Sequence, residues 1–293
     1  MMTWLKGWIG RSVEFTGGLT RRHAGKLIIL TFHRVRPGGE DQQTRAMRIL
    51  DVRTSDFRRL LAWMRKRYEP VALGDWLSRH VAPAKPSFAI TFDDGWADNY
   101  QNAYPVLQEL GLPATIFLST AAVDERQPFW WQRPGLTDAE IEQMKERQVP
   151  WVDALQSGHL DLRKEHDEDF LRWEHIQEMA KGGRITFGLH GHRHALMDRL
   201  TRDEALEDIR RCHELLVQHV PDGWIPVLAW PNGNARFDII LEMKSLGLQA
   251  ALGTQSGAAT TPSHSRWNLP RVNVDRNVSR HSSLWPWMLM RAR

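Results

Sequence analysis

Phe88-Ala89-Ile90-Thr91-Phe92-Asp93-Asp94-Gly95 is the stretch from which the fold is read. Phe88, Ile90 and Phe92 alternate, which marks a buried strand, and the strand stops at two adjacent carboxylates and a glycine. Two carboxylates side by side in a low-dielectric cleft repel each other unless a cation or a shared proton lies between them. A surface Asp-Asp-Gly turn has the same composition, so a second motif is needed before these acids count as a site.

Working outward, similar apolar runs occur at Leu27–Phe32, Ala114–Leu118, Ile185–Leu189, Pro226–Trp230, Gln249–Leu252 and Leu269–Val274. Helical periodicity fills the gaps, at Ser55–Arg67, Leu73–His80, Asn99–Leu110, Arg202–Gln218 and Phe237–Ser245. Apolar strands alternating with amphipathic helices predict an α/β fold with a parallel sheet, and about seven such units predict a barrel or a strongly curved sheet. No Gly-x-Gly-x-x-Gly follows a strand, which disfavours a dinucleotide fold. In β/α barrels chemistry sits at the C-terminal ends of the strands, where this chain carries His33, Asp93 with Asp94, His190, Asn232 and Arg271.

The second motif is His190-Gly191-His192-Arg193-His194. Residues four apart lie on one side of a helical turn, so His190 and His194 form a metal-binding pair and His192 points away. The zincin pattern needs a glutamate where Gly191 stands, and is disfavoured. Asp94 is the natural third ligand, leaving Asp93 as a general base for an attacking water. Two imidazoles and a carboxylate point to one divalent ion, zinc first, with cobalt, nickel or manganese also admitted.

Composition sets outer limits. The 293 residues are 42% hydrophobic and 25% charged, ample for a large core. The net charge of +4 is small and dispersed, which does not suggest nucleic acid. The single cysteine, Cys212, forms no internal disulfide, and no run of about 18 apolar residues predicts a membrane span. Three regions are expected: a basic amphipathic segment over 1–25, retained rather than cleaved, a catalytic domain over 26–275, and a basic tail over 276–293. Within the domain, a mostly helical insertion at 124–183 carries Trp130, Trp131, Trp151 and Trp173. The reading is cytoplasmic, with the termini suited to docking on the domain or to peripheral contact with the inner membrane.

Thr91-Phe92-Asp93-Asp94-Gly95 together with His190-x-x-x-His194 resembles the polysaccharide deacetylase (NodB-like) family of carbohydrate esterases. The resemblance covers roughly residues 27 to 275. It implies a distorted (β/α)7-type barrel, here with the helical insertion after the third strand, and removal of acetyl groups from N-acetylated sugars with one divalent metal. It makes Asp93 the base and Asp94, His190 and His194 the ligands. Trp230-Pro231-Asn232-Gly233 is similar to the family's third motif, whose backbone N–H after the proline, here that of Asn232, holds the developing oxyanion. Thr31-Phe32-His33-Arg34-Val35 and Leu269-Pro270-Arg271-Val272 resemble segments of members linked to exopolysaccharide or cell-envelope glycan synthesis. Two departures stand out. The arginine that many members carry in the third motif is absent near Ala229 and Trp230, and Arg271 is expected to supply its charge. The late Leu-x-His general acid is also absent, leaving His33, ahead of His264, as the candidate. The expected function is a metal-dependent carbohydrate N-deacetylase acting on a polysaccharide or glycan precursor. Hydrolysis of a non-sugar amide and non-catalytic glycan binding are the alternatives.

Overall fold

The computed structural model describes residues 17–38, 50–78, 85–132, 169–260 and 266–292, with isolated positions at 6, 137 and 139–140. Most of the expected N-terminal helix, most of the insertion including Trp151, and His264 lie outside the described residues.

The strands are β1 (Lys26–Phe32), β2 (Arg34–Arg36), β3 (Asp51–Arg53), β4 (Glu69–Pro70), β5 (Ser87–Phe92), β6 (Ala114–Leu118), β7 (Ile185–Leu189), β8 (Trp224–Ala229), β9 (Ala250–Leu252), β10 (Ala259–Thr260) and β11 (Val272–Asn273). β1, β5, β6, β7, β8 and β9 lie side by side in that order, all parallel. β9 meets Leu269 in a parallel bridge at Leu252, and β11 pairs in parallel with β1, Val272 opposite Leu30. The sheet thus curls until its last stave returns to its first, as a distorted β/α barrel. That last stave, expected to run unbroken from Leu269 to Val274, is interrupted. Pro270 has no N–H to give a ladder, so the segment bonds β9 before the proline and β1 after it.

Both faces of the barrel strands are buried, which is why they read as continuous apolar runs rather than alternating ones. One face packs Ile28, Leu30, Phe32, Phe88, Ile90 and Phe92 under the surrounding helices. The other forms a second cluster of Leu27, Ile29, Ala89, Phe117, Val227 and Leu252 inside the barrel. Space there is tight: a Cβ on Gly188 would lie 2.5 Å from the Phe117 ring. Side chains alternate along a strand, so the parity that turns Ile29 and Ala89 inward also turns His33 and Asp93 inward, at the strand ends.

The first and last stretches of the described residues meet, His23 Nε2 lying 3.1 Å from the Ala292 carbonyl. Residues 285–290 form a short helix whose Trp285 meets Trp63 of the helix Thr54–Arg65 edge-on at 5.7 Å, and Leu289 is wholly buried. No helix among the described residues is long and apolar enough to cross a membrane.

Candidate active site

Asp93 follows β5 directly, its N–H bonded to the Phe32 carbonyl at 3.0 Å. Its two carboxylate oxygens each accept a 2.8 Å hydrogen bond from Arg271, whose Nε donates to the Gly253 carbonyl, also at 2.8 Å. Arg271 is 1% exposed. It stands before β11 rather than at a strand end, and it reaches Asp93 because its side chain is long. Burial pushes the Asp93 carboxyl up, but the Arg271 guanidinium and His190 outweigh it and hold it below the usual carboxylate range.

Asp94 has left the strand. Its φ of 79° and that of 87° at Gly95 make a left-handed turn that re-aims the carboxylate. Oδ2 accepts from Trp96 Nε1 at 2.9 Å. Oδ1 faces His190 Nε2 at 3.4 Å and His194 Nε2 at 3.3 Å. His190 Nδ1 lies 2.8 Å from the Ala229 carbonyl, which can only accept, so Nδ1 carries the proton and Nε2 presents its lone pair. His194 owes its orientation to a φ of 54° after Gly191 at 76°, and Phe129 and Trp131 meet its ring edge-on. His192 points elsewhere, toward Thr120 and Glu125, as its position in the motif predicts.

The donor set fits a divalent cation. The three ligand atoms lie within 4.8 Å of one another, all from buried residues. Asp94 Oδ1 is buried without a hydrogen-bond partner, although an imidazole lone pair is aimed at it. A carboxylate oxygen and a lone pair turned toward each other call for positive charge between them. The charges around His190 point the same way. Burial disfavours a charged His190, yet Asp93 and Asp94 outweigh it and raise its pKa.

The remaining candidates are placed as follows. Asn232 has a φ of 54°, and among the described residues no acceptor takes its backbone N–H. Among the described residues, the non-glycine positions with positive φ are Asp94, Arg126, His194 and Asn232. Three of these four belong to the candidate site, where such local strain, on the order of 1–3 kcal/mol each, tends to collect. Pro231 is buried and opens the turn that carries Asn232. Trp230 does not line the site: it is wholly buried and its indole N–H donates to the Trp267 carbonyl. His33 is half-buried within electrostatic reach of Asp94, Asp93, Arg271 and His190. Burial lowers its pKa against the pull of the two carboxylates.

Asp208 is a residue that the motifs do not mark. It is 2% exposed, and its carboxylate accepts from the His192 N–H at 2.7 Å and the Arg193 N–H at 3.1 Å, pinning the histidine loop. Its signal lies in the helix Arg202–His219, where Ala205, Ile209, Cys212 and Leu216 make the apolar stripe and Asp208 falls within it. The lone thiol has no catalytic character: burial pushes Cys212 up to about 12.

Known proteins resemble this chain in sequence and in fold. The poly-beta-1,6-N-acetyl-D-glucosamine N-deacetylase of Escherichia coli K12 is 24% identical over 284 residues, 86% of this chain and 37% of that protein. The enzyme of the same name from Staphylococcus epidermidis is 26% identical over 203 residues, 66% of this chain and 56% of its own length. The chain therefore spans less than two thirds of either relative. The Streptococcus pyogenes deacetylase PplD, solved with acetate, superposes with a TM-score of 0.64 at 20% identity, covering 90% of this chain and 96% of that one. The polysaccharide deacetylase family model matches residues 80–251, which contain Asp93, Asp94, His190, His194 and Asn232, and the chain belongs to the polysaccharide deacetylase family.

Proposed function

We propose that this protein is a metal-dependent N-deacetylase that hydrolyses the acetamide of an N-acetylated sugar in a glycan or glycan precursor. One observation carries the reading: a cation-deficient cluster of Asp94, His190 and His194 stands next to a second carboxylate, Asp93, held ionised by Arg271. A binding protein has no use for a base beside a metal.

A divalent ion held by Asp94, His190 and His194 supplies Lewis acidity at the acetamide carbonyl and lowers the pKa of water. The chain's own residues do the rest. Asp93 takes a proton from the attacking water. The Asn232 N–H donates to the oxygen on which negative charge develops. His33 enters as the neutral ring and passes the proton from Asp93 to the leaving nitrogen. The carbon–nitrogen bond breaks, and acetate and a free amine leave. The names of the relatives suggest β-linked N-acetylglucosamine as the first sugar to try. We place the protein in the cytoplasm, with its basic ends suited to peripheral contact with an anionic membrane.

The test is acetate release from N-acetylated sugars by metal-stripped protein with zinc, cobalt, nickel or manganese restored. Metal-dependent release that falls at least about a hundredfold in Asp93→Asn is expected. Release that survives the substitution, or its absence on every sugar while one metal stays bound, overturns the reading.

A further inference from the structure

One charged cavity takes no part in this chemistry. Directly after His33 the chain forms β2, which pairs in parallel with β3, Arg34 opposite Asp51, Val35 opposite Val52 and Arg36 opposite Arg53. Val35 and Val52 are wholly buried, so strand alternation gathers Arg34, Arg36, Asp51 and Arg53 on the other face. A cavity of about 90 Å³ opens there, lined by Arg36, Asp51, Arg53 and Arg276 with Pro37 and Gly38. That is room for several waters, and so for a phosphoryl group.

Three guanidinium groups share this cavity with one carboxylate, and clefts lined by one sign of charge concentrate the opposite ion. Arg36 Nη1 stands 3.5 Å from Asp51 Oδ2. Among the lining atoms, Arg53 Nε, a donor, and Asp51 Oδ1, an acceptor, are buried without hydrogen-bond partners. Asp51 is 7% exposed. The cavity is therefore short of both an acceptor and a donor. A phosphoryl oxygen fits the first need, since the guanidinium fork matches phosphate geometry, and a hydroxyl fits the second. A sugar phosphate carries both on neighbouring atoms.

The strand that carries Arg36 begins beside the candidate site. The Arg34 guanidinium lies 4.3 Å over the Trp96 ring, whose Nε1 donates to Asp94. Arg36 follows His33 by three residues, roughly 10 Å of extended chain.

We propose that this cavity is a phosphoryl subsite, and that the acetylated sugar comes to Asp93 as a glycosyl phosphate or diphosphate. This rests on the deacetylase reading for the identity of the sugar, but the cavity's ligand chemistry is testable without turnover. Metal-loaded Asp93→Asn protein is titrated calorimetrically with N-acetylglucosamine 1-phosphate, N-acetylglucosamine and inorganic phosphate. The sugar phosphate is expected to bind at least about ten times more tightly than either other probe. Arg53→Gln and Arg276→Gln, each added to that protein, are expected to weaken it about tenfold, and Arg53→Lys less. Equal affinity for the sugar with and without phosphate, or no loss in the glutamine variant that folds, overturns the subsite. Inorganic phosphate binding as tightly as the sugar phosphate overturns the glycosyl part.

Acetate release from a uridine-diphosphate sugar in solution and from a polyprenyl-diphosphate sugar in vesicles then separates the two sources of the phosphate. In both, Arg276→Gln is expected to lower the preference for phosphorylated over neutral sugar about tenfold. Undiminished preference counts against the subsite and leaves the deacetylase standing. Sugar phosphate binding without acetate from any substrate counts against the deacetylase and leaves the subsite standing.

Discussion

Arg271 and Asp93 are 178 residues apart in sequence and meet through two parallel 2.8 Å hydrogen bonds, both side chains almost wholly buried. The pair fixes the plane of the Asp93 carboxylate and keeps it ionised. It also restrains Asp93 as a base, because a carboxylate stabilised by a guanidinium gives up less on staying unprotonated.

Replacing Arg271 by Gln removes that charge and leaves burial as the leading influence on Asp93. The acidic limb of kcat/KM is expected to move to higher pH. Activity at neutral pH is expected to fall at least about tenfold through lost orientation. Breaking a buried pair from one side costs about 3–5 kcal/mol, so a lower midpoint of thermal unfolding accompanies it. A pH–rate profile unchanged in shape and position would show that Arg271 does not set the state of Asp93.

Asp208 touches none of the three proposed ligands, yet it holds the loop between two of them. Asp208→Asn is expected to weaken zinc binding by about 10- to 100-fold, the usual effect of losing an outer-shell partner. A chelator-competition titration measures this, and saturating zinc should restore most of the turnover. An unchanged zinc affinity would reduce Asp208 to a loop residue. Gly191 shares the restriction, since a Cβ there would lie 2.7 Å from Asp208 Oδ1.

The parts legible in the sequence are those that repeat or that sit on a strand's parity. Leu27–Phe32, Ala114–Leu118 and Ile185–Leu189 are strands because buried parallel staves need apolar side chains on both faces. Asp93 and the histidine pair are visible because acids and imidazoles directly after such staves have no structural use. What was hidden depends on three-dimensional reach. Trp230 follows a strand and has the look of a sugar-binding aromatic, but the 0% exposure of its side chain makes it a wall of the core. The strands β2 and β3 have three residues each, too few to show a period. Asp208 lies inside a clear amphipathic helix, where one acid among apolar neighbours is easily passed over.

His33 is reached by the same inward parity as Asp93 but makes its contribution late in the reaction. His33→Ala is expected to lower kcat by about a hundredfold with little change in KM, because a proton relay acts in the transition state rather than on substrate binding. A substrate with a good leaving group, such as an N-acetylated aromatic amine, should suffer much less from the substitution. Equal loss on both kinds of substrate would assign His33 a structural part.

His23 ties the helix Gly18–Arg22 to Tyr68 and to Ala292 near the C-terminus, and makes that tie sensitive to acid. Its Nε2 lies 3.1 Å from the Ala292 carbonyl and its Nδ1 2.9 Å from the Tyr68 hydroxyl. The carbonyl can only accept, so Nε2 carries the proton and Nδ1 accepts from Tyr68; a second proton on the ring would break the latter bond. Burial accordingly lowers the pKa from 6.5, against the opposing pull of the Ala292 carbonyl. A group whose pKa is lower folded than unfolded binds more protons when unfolded, so stability rises with pH across the interval. The contribution is fully present above about pH 6.5 and is lost as pH falls through that value toward the folded pKa. The unfolding midpoint should therefore drop between pH 7.5 and pH 5.5. His23→Gln keeps a donor and an acceptor but does not titrate, and should flatten that dependence while lowering the midpoint at pH 7.5 slightly. A slope as steep in His23→Gln as in the parent would place the acid sensitivity elsewhere, and the half-buried His33 would be the next ring to replace.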